Sequence, residues 1–310
     1  MLSCEMEKMC GLYRDDRIRV DENSTELTLL RLLGENRPEE AVALFKDQCQ
    51  FSGKTVVDAP HGRFEGKERI EAFCQAWLDS FQAQGCELYP FSQTQSGGRS
   101  VTELIASFSL KTGGKLEIPM MAVGDLRPGG LLDGFRLYFH FKYAPGFSAY
   151  RRPVFSPRHQ EANDSNLLTG SVKAYLDALH CFPHADVDAI MATIGPKIAF
   201  GGYAPIDTQP LVTDRGALET EYRKMAAYIP ERVQIRFETV IDDGLTCVIE
   251  WVNVISQKGL EYGRIPQSGI ASYVRDREGT LQAIRICDHA GYERDIDWDA
   301  VRSASLNGKG

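Results

Sequence analysis

The stretch Ile284–Glu293 reads IRICDHAGYE, and the stretch Phe135–Ala144 reads FRLYFHFKYA. Laid over one another, Arg285 falls on Arg136, His289 on His140 and Tyr292 on Tyr143. Upstream, IEWVNVISQKGLEYGRIP (Ile249–Pro266) runs without a gap against TELIASFSLKTGGKLEIP (Thr102–Pro119). Glu250 then meets Glu103, Ile265-Pro266 meets Ile118-Pro119, and a two-residue difference at a turn separates the two blocks. An ordered series of such matches marks an internal repeat, and a repeat decides the fold before any single element does.

Each half opens with helical patterning. The first has STELTLLRLLGEN, PEEAVALFKDQC and GKERIEAFCQAWLDSFQ; the second has GSVKAYLDALHCF, ADVDAIMATIG and DRGALETEYRKMAAYI. Ser24 with Glu26 and Ser171 read as helix starts, and Gly34 as a stop. Only strand-like runs follow, separated by turn signals such as SGGR, DDG, PGG and REG. Helices followed by an antiparallel meander predict an α+β fold: two tandem cone-shaped domains, each with three helices packed on a curved antiparallel sheet. The domains are placed at 24–146 and 169–294. Residues 1–23 form an arm ordered only by docking, 147–168 a linker with two prolines, and 295–310 a tail.

The 310 residues are 43% hydrophobic and 25% charged with a net charge of −8, ordinary composition for about two domains. The acidic balance and the lack of a basic run argue against nucleic acid. No apolar stretch approaches the ~18 residues that cross a bilayer, and the first residues have no apolar core of signal-peptide length. The chain is read as cytoplasmic. Its eight cysteines form no CxxC pair and no zinc spacing. No metal, nucleotide or other cofactor motif is present, so cofactor-free chemistry is expected.

On the words PEEAVALF (Pro38–Phe45), GRFEGKERIEAF (Gly62–Phe73), VKAYLDAL (Val172–Leu179), DVDAI (Asp186–Ile190) and RDREGTLQAIRICDH (Arg275–His289), each half resembles the nuclear transport factor 2-like superfamily. That superfamily includes the ketosteroid isomerases and the SnoaL-like cyclases. The resemblance covers nearly all of both halves and implies an apolar pocket enclosed by helices and bent sheet. It also implies a tyrosine on the first helix of each isomerase unit, a position matched by Tyr175, whereas the first half has Leu29. The base position falls near Gly53 and Gly202, so neither half keeps that carboxylate.

Strand alternation supplies another carboxylate. Ile284, Ile286 and Asp288 share the face that Phe135, Leu137 and Phe139 bury in the first half, so Asp288 stands where Phe139 would. A carboxylate among apolar groups tends toward a raised pKa, which suits proton transfer near neutrality. SnoaL-like cyclases resemble this in using an acidic residue inside such a cavity. Asp288 is the candidate proton carrier and Tyr175 the candidate donor to an oxyanion, set against a pocket-mouth aspartate and a core tyrosine. Trp251, Asn253 and Ile286 are candidate ligand-binding residues by alternation, and Tyr203 and Asp207 by their place in the loop after the second helix.

The expected function is cofactor-free isomerisation, dehydration or cyclisation of a small apolar or polycyclic carbonyl compound in the second domain, the first being degenerate. A non-catalytic hydrophobic-ligand-binding or assembly module is the competing class. His140, His289, Arg136, Arg285, Glu103 and Glu250 share the outer sheet faces, which fits an internal pseudo-dimer and leaves a homodimer open.

Overall fold

In a computed structural model the described residues are 2–45, 55–60, 62–140, 167–181, 184–201, 211–228, 233–255 and 266–290. The chain divides into two compact units, Met1–Phe147 and Ser148–Gly310.

In the first unit the arm forms helix α1 (Cys4–Tyr13), capped by Ser3, whose hydroxyl accepts from the Met6 N–H. It docks by burying Met6, Met9 and Tyr13, and the Ser3 N–H donates to Glu117 at 2.9 Å. Helix α2 (Thr25–Gly34) is leucine-rich, with Leu29, Leu30 and Leu33 on one inward stripe. Its last residue, Gly34, packs directly on the backbone, because a Cβ there would lie 2.6 Å from the Cys86 carbonyl oxygen. Helices α3 (Pro38–Ala43) and α4 (Lys67–Ser80) complete the layer. Proline at the start of α3 costs no hydrogen bond, since its missing N–H would be unsatisfied there anyway.

Four strands of this unit run long enough to be read from alternation or β-branched content. They are β3 (Ala83–Ser96), β4 (Arg99–Leu110), β5 (Lys115–Leu126) and β6 (Leu132–Tyr138). With the short β1 (Val56–Ala59) and β2 (Gly62–Glu65) they form a sheet in the order β2-β1-β6-β5-β4-β3. The ladder is antiparallel except where β1 runs parallel to β6. Register shifts at Pro90/Ser92 and at Asp125/Leu126 bend it. Leu104, Ala106, Phe108, Met120, Ala122, Phe135 and Leu137 face the helices and are buried. Phe81, Phe108 and Phe139 stack at one end, the first two with ring centroids 4.1 Å apart.

The second unit repeats the order with α5 (Gly170–Leu179), α6 (Val187–Thr193) and α7 (Arg215–Tyr228). Asp186 caps α6 by accepting from the Ala189 N–H at 3.0 Å. Strands β7 (Ile194–Phe200), β8 (Val233–Asp242), β9 (Thr246–Ile255), β10 (Pro266–Arg275) and β11 (Leu281–Ala290) take the order β7-β11-β10-β9-β8. Each unit is thus a three-helix layer on a curved, mainly antiparallel sheet. Among the described residues no helix is long and apolar enough to cross a membrane.

Two expectations need correction. The sequence reading puts only helices before the third helix of each half, yet β1, β2 and β7 lie there. They are short, VVDA, GRFE and IGPKIAF, and no alternation distinguishes such runs from loop. The two-residue difference between the halves also moves. Ile105 pairs with Pro119, whereas its counterpart Val252 pairs with Ser268. The extra residues therefore fall in the connection before β10, and Pro119 corresponds to Ser268 rather than Pro266.

On the sheet face turned away from the helices, Arg136 is buried and holds Asp125 with both guanidinium nitrogens, NH2 donating to Oδ1 at 2.9 Å. Arg99 Nε adds a third donor at 2.9 Å. Gly134 lies opposite Asp125, and a Cβ there would sit 2.8 Å from the Asp125 carboxylate. Burial works against the charge of Asp125, but the two arginines outweigh it and hold its carboxyl below the usual carboxylate range. A carboxyl depressed by folding stabilises fully above its unfolded pKa of about 4 and loses that contribution as pH falls through the folded value. Asp125→Asn should therefore cost about 1–3 kcal/mol at pH 7, the scale of a charged hydrogen bond. Chemical denaturation of both proteins at descending pH should find the difference shrinking below about pH 4.

Candidate functional site

In the second unit the helix-facing side of the sheet is organised in rows across the strands. Phe237, Trp251, Gly269 and Asp288 stand opposite one another in the first. Val240, Ile249, Ala271 and Ile286 form the second, and Cys247, Tyr273 and Ile284 stand together in the third. Ile249, Ala271, Tyr273 and Ile284 are buried in the core, with Ile286 and Phe237 packed against it. In the backbone ladder Asp288 stands opposite Gly269. Gly269 separates it from Trp251, whose ring lies over that glycine: a Cβ there would sit 2.6 Å from Cζ2. A glycine between them lets the indole lie flat on the sheet.

The helices bring a tyrosine cluster to the other end of this face. Tyr175 sits on the inward stripe of α5 with Val172 and Leu176, and is 1% exposed. Its hydroxyl shares a 2.6 Å hydrogen bond with that of Tyr222 on α7. The Tyr175 ring lies 5.5 Å from Tyr273 and 6.2 Å from Tyr222, and Phe200 meets Tyr222 edge-on at 6.0 Å. Tyr175 is thus a core tyrosine whose hydroxyl is buried against a second phenol. Burial, followed by the neighbouring Tyr175, pushes the Tyr222 phenol well above its ordinary value. Protonated, the pair is a source of hydrogen bonds to oxygen, not a base.

Sequence reasoning names Tyr175 but misses Tyr222 and Tyr273. Tyr222 lies one turn after Leu218 on α7, and both are buried, so helical spacing within LETEYRKM could have found it. Tyr273 is visible by alternation from Trp251's partner Gly269. The side chains of Asp288 and Asn253, and Tyr203 and Asp207 altogether, lie outside the described residues. In the first unit the matching positions Leu29, Leu104, Leu137 and Phe139 are fully buried and apolar. Among the described residues no group of three or more His, Cys, Asp or Glu side chains could hold a metal ion.

No family model matches the chain, and no curated protein matches it. Among solved structures, it is similar to a hypothetical protein with a ketosteroid isomerase-like fold from Catenulispora acidiphila DSM 44928, in complex with trimethylamine. The identity is 15% and the TM-score 0.32, over 40% of this chain and 92% of that one. It is also similar to SalBIII, an epoxide hydrolase/cyclase-like enzyme of pyran ring formation in salinomycin, at 13% identity and TM-score 0.30 over 43% and 92%. A third likeness is to a computationally designed 17-OHP binder, at 15% identity and TM-score 0.31 over 38% and 93%.

Removing the Tyr222 hydroxyl leaves a buried phenol short of a partner, so Tyr222→Phe should destabilise by about 1–3 kcal/mol in urea. Because both hydroxyls serve one bond, Tyr175→Phe with Tyr222→Phe should cost less than the sum of the single changes. Additive losses would mean that the two hydroxyls act independently.

Proposed function

We propose that the second unit is a cofactor-free isomerase, dehydratase or cyclase acting on an apolar carbonyl compound. The observation that supports it is the buried Tyr175–Tyr222 pair at 2.6 Å, facing an otherwise apolar surface. The pair brings two phenol hydroxyls together in the apolar interior, and the proposed role of Tyr175 is to donate its O–H to a carbonyl oxygen. Such a donor, prearranged in a dry site, stabilises the negative charge that forms when a neighbouring C–H loses its proton. Asp288 is the proposed acceptor of that proton, which it returns at another carbon in an isomerisation or gives up to a leaving hydroxyl in a dehydration.

Register supports an elongated substrate. Gly269, opposite Asp288, and Tyr273, beside Tyr175, are four residues apart on β10, or about 13 Å along a strand. The row containing Ile249 and Ile286 lies between them. A ligand touching both ends is a planar molecule of several rings lying over Ile286, with Trp251 as its wall. Asn253 is proposed as a polar contact inside the cone, and Tyr203 and Asp207 as contacts from the loop after the second helix. The internal pseudo-dimer is likewise proposed, on the repetition of Glu103 and Glu250 and of Arg136 and Arg285.

The test is conversion of a β,γ-unsaturated polycyclic ketone to its conjugated isomer, followed by absorbance, with melting curves in parallel. Asp288→Asn should lower the rate by roughly 10²–10⁴-fold and leave the melt nearly unchanged. Tyr175→Phe should lower it by roughly 10²–10³-fold, the usual effect of losing an oxyanion donor. A wild-type protein that binds the ketone without converting it would favour the binding module. An Asp288→Asn protein that melts far lower yet binds equally would make Asp288 structural.

A further inference from the structure

One end of the second unit's helix-facing sheet surface is open to solvent. Along β9 the inward residues Cys247 and Ile249 are 0% and 1% exposed. The next inward residue, Trp251, is half-buried, and so is Phe237 opposite it on β8. Val240 and Ile286, in the neighbouring row, are half-buried too. Apolar surface is thus accessible at the Trp251 end, and covering it with a ligand is favourable.

Gly269 shapes this end. Its φ lies outside the left-handed region, so the backbone does not demand glycine there. Space does. A Cβ at Gly269 would lie 2.6 Å from Trp251 Cζ2, 2.9 Å from Cε2 and 2.7 Å from the Cys287 carbonyl oxygen. The six-membered ring of the indole therefore rests on bare backbone, with its other face turned away from the sheet. The first unit fills the matching row with Leu104 and Met120, opposite each other on β4 and β5 and both 0% exposed. Its polar stripe residue, Glu26, takes its hydrogen bonds internally, from Gln93 at 3.1 Å, Thr102 at 2.9 Å and Ser100. Replacing leucine and methionine by tryptophan and glycine moves the bulk of the pair onto one strand. A sealed aliphatic row becomes an aromatic plane.

We infer that Gly269 is a positioning residue that lays the Trp251 indole flat as a platform on which an aromatic ring of the ligand stacks. Phe237 bounds the platform on the β8 side. Stacked aromatic rings attract beyond the area they bury, whereas a puckered saturated ring brings fewer atoms against a plane. This inference rests on the reading of the second unit as a ligand-taking site, and it holds whether or not the ligand is converted.

Isothermal titration of the full chain with 2-naphthol and with decahydro-2-naphthol, the same frame with and without aromaticity, tests this. Wild type should prefer 2-naphthol by roughly three- to tenfold, the scale of one ring stacking. Gly269→Ala should tip the indole and bring the two affinities together, an effect that lost stability alone does not produce. Adding Trp251→Phe, whose shorter ring clears the new methyl group, should restore part of the preference. Should Gly269→Ala fail to fold, since its Cβ also meets the Cys287 carbonyl oxygen, Trp251→Leu decides: it must abolish the preference. No binding by wild type, equal affinities in wild type, a preference that survives Gly269→Ala or Trp251→Leu, or a failed rescue by Trp251→Phe overturns the inference. A preference for 2-naphthol without turnover of the unsaturated ketone would uphold the platform and remove the enzyme reading. Turnover without the preference would do the reverse.

Discussion

In each unit one amphipathic helix presses its apolar stripe into the concave face of a bent sheet, and the remaining elements arrange themselves around that contact. On α2 the stripe is Glu26, Leu29, Leu30 and Leu33, and on α5 it is Val172, Tyr175 and Leu176. Burial of leucine-sized side chains, about 1.5–3 kcal/mol each, fixes the helix in its groove. The groove then limits what polar chemistry can exist inside, because any polar group on the stripe must find its partners within the unit or from a ligand. The two units meet that demand with different groups: a phenol pair in one, a carboxylate with hydroxyl donors in the other.

This contrast explains why related layouts need not share a site. The difference rests on a handful of exchanges at matched positions: Leu29 for Tyr175, Glu26 for Val172, Gly124 for Tyr273 and Phe139 for Asp288. None alters the strand order or the helix that carries the stripe. The scaffold tolerates such exchanges because its stability is spread over the remaining apolar contacts in each core.

The helices and the long strands were legible in the sequence because their periods, 3.6 and 2, repeat over many residues. Asp288 was named from the same alternation; the ladder pairs its backbone with Gly269. What escaped notice was short or composite. Strands β1, β2 and β7 span too few residues to display a period. Glu26 was read as an acidic residue favoured near a helix start, a local explanation that concealed its position on the stripe. Tyr222 and Gln93 matter only through partners far away in sequence, Tyr175 and Glu26, and no local pattern announces such a pairing.

The parallel pairing of β1 with β6 bears on how the chain folds. Val56 lies beside Gly134 and Val57 beside Phe135, although a third helix and three long strands separate them in sequence. Similarly, β7 reaches β11 only after α7 and the β8–β10 meander have been laid down. Closing so long a loop costs entropy that local hairpins do not incur, and contacts of this range slow folding. On the ribosome, the antiparallel meander can assemble as it emerges, hairpin by hairpin, while β1 waits with one edge unpaired. Each unit completes its sheet only when its last strand has been synthesised, so a chain truncated before Gly134 leaves β1 without its partner strand.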